Sequence, residues 1–250
     1  MRRRGILPAA LALTGAAAAG VISWQRSPAV RRVNNSIAEM AEHWEGVLQR
    51  NRGGTEALHV VALGDSATQG VGASTAKAGW LPRVAAELGS RSGREVEIWN
   101  LSVSGAIASD VWREQIPRMR GLPIQPDLVT LEIGGNDATQ PGRVTVESYV
   151  YVMDQILGAL PPGSFVSDPP WFSVPMFGSR ARRMARGVRP LIEKHGHHLL
   201  PLFDVTKKAG WGYHKFTSPD LFHPNDQGYE GWATGFLEAI EGAGWKPRER

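Results

Sequence analysis

The sequence predicts an α/β fold, a three-layer α/β/α sandwich on a mainly parallel five-stranded sheet. Three observations carry this. Five short apolar runs, at residues 58–63, 96–100, 128–133, 164–167 and 198–203, have the length of buried strands. Amphipathic helical patterns stand between them, and parallel strands need such right-handed crossovers. Reactive and turn-forming residues gather just after the runs, where open parallel sheets hold ligands.

Taken in order, the chain begins with Met1-Arg2-Arg3-Arg4 and an uncharged run from Gly5 to Gln25 containing Ala16-Ala17-Ala18-Ala19. A charged start, an apolar stretch and small-residue cleavage sites read as a signal peptide; the run is also long enough to be an uncleaved anchor. Residues 1–25 are therefore expected to be a signal peptide or membrane anchor. That places the protein outside the cytoplasm, secreted or held at the cell envelope, with membrane association through this segment in the tethered case. Residues 26–57 read as a linker and an amphipathic helix. Its apolar positions Ile37, Met40, Trp44 and Val47 are helically spaced, and Asn35 or Ser36 is the expected cap. The folded domain is expected over 58–242 and a polar tail over 243–250.

Charge narrows the partner. The net charge is +4, but the first 38 residues hold six arginines and no acid. That leaves 22 basic against 24 acidic side chains, so the domain lacks the footprint of a nucleic-acid binder. With no cysteine, a disulfide framework, a thiol nucleophile and cysteine-based metal sites are all excluded. The composition, 42% apolar and 21% charged, suits a packed domain rather than a disordered chain.

Four blocks lie at strand ends. The first run stops at Gly64-Asp65-Ser66, a tight turn that presents a hydroxyl, followed by small residues at 70–74. The second leads into Ser102-Val103-Ser104-Gly105, the third into Gly134-Gly135-Asn136-Asp137. Before the last helical pattern (Tyr229, Trp232, Phe236, Ile240) stands Asp220-Leu221-Phe222-His223-Pro224. A histidine suits the task of taking the serine proton, and a carboxylate three residues before it can fix its tautomer. Asp65 and Asp137 read as turn holders, and Asp204 as a weaker candidate orienter than Asp220.

These four blocks, in this order, resemble the SGNH hydrolases, also called the GDSL esterase/lipase family, over roughly residues 58–240. The resemblance implies a flavodoxin-like SGNH fold and a serine esterase without metal or cofactor. It implies Ser66 as nucleophile and Asp220 and His223 as its partners. Gly105 and Asn136 would join the Ser66 N–H in an oxyanion hole. One departure is visible: the family's usual leucine after the serine is Ala67 here.

The remaining motifs are read more plainly. No phosphate-loop or dinucleotide glycine pattern is complete. His195-Gly196-His197-His198 lies at a helix end before a strand, with no paired acids at ligand spacing, and reads as structural. Arg180, Arg182, Arg183, Arg186 and Arg189 give one helix a basic face, read as solvated. Trp211, Tyr213, Phe216 and Phe222 crowd the late loops. The segment 168–177 is read as too proline-rich for a helix, with Trp171 and Phe172 walling a substrate site. Such a wall suits an apolar acyl group or a sugar face equally. The expected function is hydrolysis of small-molecule, lipid or glycan esters through an acyl-serine. The alternatives are acyl transfer by the same intermediate, or an idle glycan- or lipid-binding module.

Overall fold

The computed structural model describes residues 26–249; the expected leader at 1–25 lies outside the described residues. Five strands, β1 (Leu58–Gly64), β2 (Val96–Asn100), β3 (Leu128–Glu132), β4 (Phe165–Ser167) and β5 (His198–Leu200), form one sheet in the order β2-β1-β3-β4-β5. Every pairing is parallel. This is the flavodoxin-like order, with its topological switch beside β1 and β3. The Gly64-Asp65-Ser66 turn and the Gly-Gly-Asn-Asp block therefore leave neighbouring strands at the same end, with Gly64 in register with Glu132.

Strand alternation builds the two outer layers. Val61, Leu63, Val129, Leu131 and Val166 face one core. That core is closed by α4 (Ala108–Asp110), a π-turn (Val111–Gln115), α5 (Ile116–Arg120), α7 (Val146–Leu157) and α8 (Pro175–Lys194). Val60, Ala62, Leu128, Phe165 and Leu200 face the other, against α1 (Pro28–Arg50), α3 (Trp80–Ser92) and α10 (Asp226–Gly242). Every residue of β1 is buried, as a strand covered on both faces requires. Three short helices sit at strand ends: α2 (Ser66–Gln69), α6 (Gly135–Thr139) and α9 (Leu202–Lys208).

Four sequence expectations are corrected. Helix α1 starts at Pro28 with Ser27 as its cap, not at Ser36. Buried Val30 and Val33 extend the Ile37–Met40–Trp44 stripe backwards, while Arg31, Arg32, Asn34 and Asn35 fall on the outer face. The fifth strand ends at Leu200; Pro201 turns the chain, and residues 202–203 begin α9. Residues 175–177 are helical, since Pro175 occupies the first turn of α8, where its missing N–H costs nothing. On the basic helix, Arg180 is buried and Arg189 pairs with Asp168 and Asp204, so neither belongs to a solvated face. The tail beyond α10 is tied back to the domain: the Trp245 indole donates to the Asp127 carbonyl (3.3 Å) and Arg248 to the carbonyls of Gln125 and Pro126.

Candidate active site

Strand β1 delivers Gly64 to the sheet edge with φ +153°, a conformation that favours glycine. A Cβ here would collide with the Glu132 carbonyl and the Thr68 hydroxyl. Gln115, on the π-turn, grips this point from the side: its Oε1 accepts from Gly64 N–H (2.9 Å) and its Nε2 donates to Gly64 C=O (2.8 Å). Asp65 then caps α2, accepting from Ala67 N–H at 2.9 Å. The cap leaves Ser66 as the first helical residue, 3% exposed. The glycine-rich loop that follows packs tightly on the histidine turn. A Cβ on Gly72 would stand 2.8 Å from His223 Cβ.

The histidine turn holds itself. Thr217 and Pro224 form an isolated antiparallel bridge, and Ser218 N–H donates to the His223 carbonyl at 2.8 Å. Inside the turn, Asp220 Oδ1 accepts from the Ser218 hydroxyl and from the N–H groups of Phe222 and His223. Leu221 bears the strain of this tight path at φ +57°, the one positive value outside glycine among the described residues. The left-handed region costs a residue with a Cβ roughly 1–2 kcal/mol.

The two turns meet across 157 positions of sequence. His223 Nε2 lies 2.8 Å from Ser66 Oγ, and His223 Nδ1 lies 2.6 Å from Asp220 Oδ2. With the Nδ1 proton donated to the carboxylate, Nε2 accepts from the serine hydroxyl, the tautomer that a general base needs. Burial pushes the Asp220 carboxyl up, but the bond and charge of His223, with the Phe222 N–H and Ser218 hydroxyl, outweigh it and hold it below its ordinary value. It therefore stays ionised beside the imidazole. Asp204, the other candidate orienter, is turned away to Arg189 at 2.8 Å.

Two loops supply N–H groups. Those of Ser66 and Gly105 donate to no acceptor among the described residues. Gly105 adopts φ +81°. Its loop is pinned by Gln69, whose Nε2 donates to the Ser102 carbonyl (2.8 Å) and whose Oε1 accepts from the Ser104 hydroxyl (2.5 Å). Asn136 is engaged: its Nδ2 donates to Asp65 Oδ2 (3.1 Å) and to the Ala106 carbonyl (3.0 Å). Donation to a substrate oxygen thus means sharing or releasing one of these bonds. Asn136 rides on α6, whose carbonyls at Asp137 and Ala138, with that of Val144, are gathered by the buried Arg180 guanidinium.

Beneath the site lie three buried acids. Burial pushes Asp65 up to about 6, although the Ala67 N–H, the His223 charge and the Asn136 amide counter it. Burial, with the Asp65 charge against it, raises Glu132 well above the carboxylate range; its partner is the Thr68 hydroxyl at 3.1 Å. Asp137, accepting from Ala108 N–H, is pushed by burial to about 7.

Of the expected substrate wall, Phe172 is 5% exposed and stacks on Phe222 at 5.8 Å, lining with it a small cavity against His223. Trp171 turns instead edge-on to Tyr213 at 5.6 Å. Sequence reasoning missed Gln69, Gln115 and Arg180. A glutamine or arginine in a helical pattern carries no local sign of a distant backbone partner. His195 pairs with Asp154 at 2.7 Å, and His197 with the Leu157 carbonyl at 2.8 Å.

A flavodoxin-like sheet with a hydroxyl, an imidazole and a carboxylate in series at its switch point defines an α/β serine hydrolase. A sequence profile of the GDSL-like lipase/acylhydrolase family matches residues 62–230. The chain belongs to that family, and it is a serine ester hydrolase.

Solved structures of similar fold include a GDSL-like lipase from Parabacteroides merdae, at 20% identity and TM-score 0.61, covering 78% of this chain and 100% of that one. A lipase/acylhydrolase from Enterococcus faecalis is 19% identical with TM-score 0.59, over 77% of this chain and 100% of its own. An acetylxylan esterase from Geobacillus stearothermophilus is 19% identical with TM-score 0.56, over 79% and 100%. No curated protein matches the sequence.

Proposed function

We propose that the protein is an extracytoplasmic esterase that cleaves carboxylic esters through an acyl-serine intermediate, with Ser66, His223 and Asp220 as its catalytic residues. The observation that carries this is the unbroken relay from Ser66 Oγ to His223 Nε2 (2.8 Å) and from His223 Nδ1 to Asp220 (2.6 Å). Ser66 Oγ attacks the ester carbonyl carbon while its proton passes to Nε2. The oxyanion so formed is met by the N–H groups of Ser66 and Gly105 and the Asn136 amide. Collapse expels the alcohol, which takes the Nε2 proton. Water then repeats the sequence on the acyl-serine, releasing the acid and restoring the hydroxyl.

The Phe172–Phe222 stack beside His223 supplies an apolar flank for the acyl or sugar moiety, so acyl lipids and acetylated glycans are the two substrate classes to compare. The arginine-led, uncharged leader at 1–25 supports export to the cell envelope.

The test is a fluorophosphonate probe with an ester panel. Ser66 is labelled and short-chain esters turn over in the wild type. Ser66→Ala loses both, with turnover reduced about 10⁴-fold or more. Retained turnover in Ser66→Ala would refute the assignment.

A further inference from the structure

Behind the histidine turn lies a second cavity, of about 430 Å³, between α9, the 3₁₀ helix at Gly210–Lys215 with the two residues after it, and α10. This volume is within the range of small-molecule sites. Its walls include Tyr213, Phe216, Pro224 and Trp232, with Thr206 and Gln227 among its polar members. The described lining holds one cation, the exposed Lys208, and no carboxylate. Lys208 forms no ion pair among the described residues. An apolar trough with one unpaired ammonium at its lining is complementary to an alkyl chain that ends in an anion.

A glycine gives experimental access to the cavity. Gly231 lines the cavity from within α10, where glycine is a poorer helix former than alanine. Neither close packing nor backbone strain requires it. A Cβ built there meets no atom within 4 Å, and Gly231 is not among the positive-φ glycines. By contrast, a Cβ on Gly228, three residues earlier, would strike the Phe216 carbonyl. Gly231 stands exposed at the edge of the cavity, so a larger side chain can be placed there without a clash.

The cavity also adjoins the site. Thr217 and Pro224, which line it, form the bridge that closes the Asp220–His223 turn. Tyr213, Pro224 and Trp232 border both this cavity and the small one against His223. Burial, together with the charge of Asp220, holds the Tyr213 phenol protonated.

We propose that this cavity binds a fatty carboxylate, with its chain along Trp232 and Phe216 and its carboxylate at Lys208. This is the class of acid that cleavage of a long-chain ester releases, so the choice of ligand, though not the existence of the site, rests on the esterase reading. A bound chain would brace the Thr217–Pro224 bridge from behind and so report on the catalytic turn without touching Ser66.

The test is calorimetric titration of the full chain with sodium dodecanoate below its micelle concentration, after Ser66 has been blocked by a small fluorophosphonate. One saturable site of micromolar affinity is expected. Gly231→Leu, which fills the trough, weakens binding about tenfold or more without lowering Tm. Gly231→Ala weakens it less and raises Tm. Lys208→Glu weakens dodecanoate about tenfold and leaves dodecanol unchanged.

Equal binding by wild type and Gly231→Leu, or no saturable binding by wild type, would overturn the proposal. So would binding that disappears once Ser66 is blocked, because the chain then occupies the catalytic cleft. Failure of the fluorophosphonate to label Ser66 would instead count against the esterase reading, and the titration would still decide the second site.

Discussion

The two turns that bring Ser66 and His223 together are fixed by opposite means. The serine turn is buried and gripped from afar. Gln115 holds Gly64, Glu132 accepts from Thr68, Asn136 bonds to Asp65, and Trp44 donates to the Gln69 carbonyl at 2.9 Å. The histidine turn takes its hydrogen bonds mainly from within residues 217–224, with Gly72 packed on it, and its tip, Leu221, is 54% exposed. Precision at Ser66 is thus a property of the whole sheet edge, whereas precision at His223 is nearly a property of one octapeptide. Substitutions in the first should cost stability and activity together. Those in the second should cost activity alone.

The sharpest way to break this contrast is Asp220→Asn. It removes the charge that fixes the imidazole and is expected to lower kcat about 10⁴-fold. Urea unfolding should move little, because Asn Oδ1 can still cap the N–H groups of Phe222 and His223. A large stability loss would show that the turn is not self-supporting.

Gln115→Ala is the counterpart on the serine side. It strands the buried Gly64 N–H and C=O, each costing about 1–3 kcal/mol, so a loss of roughly 2–4 kcal/mol in urea unfolding is expected, with reduced kcat. Unchanged stability would mean that water replaces the side chain without cost.

The buried acids give the contrast a pH dependence. Asp137 is held up to about 7 in the fold against 3.8 as its reference, so the folded chain binds the extra proton between those values. Stability from this group is therefore lost as pH rises from about 4 to 7, by at most about 1.4 kcal/mol per pH unit, and Asp65 adds in the same direction up to about 6. Asp137→Asn should flatten the fall, and at pH 8 it should be at least as stable as the wild type. A slope unaltered by the substitution would assign the titration to Asp65 and Glu132.

The smallest effect is expected at Leu221→Gly. Relief of the left-handed strain, about 1–2 kcal/mol, is largely offset by the freedom glycine adds to the unfolded chain. A net change within about 1 kcal/mol is expected in thermal unfolding. A larger loss would reveal packing by a side chain that stands half in solvent.

The same contrast explains what could be read from residues alone. The histidine turn is legible because its partners are neighbours in sequence: Asp220, His223 and Pro224 announce their geometry by spacing. The strands are legible because β1 is apolar at nearly every position and its C-terminal end is marked by Gly64. The clamps on the serine turn are not legible, because Gln69, Gln115 and Arg180 act on backbone atoms many positions away. The start of α1 was hidden by the polar outer face at Arg31, Arg32, Asn34 and Asn35. The start of α9 was hidden by Leu199, Leu200, Leu202 and Phe203, which read as a strand once the turn at Pro201 is overlooked.

The bond from Trp44 to Gln69 has a practical consequence for dividing this chain. Helix α1 stands outside the span that the family profile matches, yet its Trp44 indole holds the backbone three residues after Ser66. Trimming the polypeptide to its recognisable homologous portion would strip a support from the reaction centre while leaving every reactive group in place. A fragment made that way would be a poor witness to what the intact enzyme can do, and a sluggish one should not be mistaken for a protein without activity.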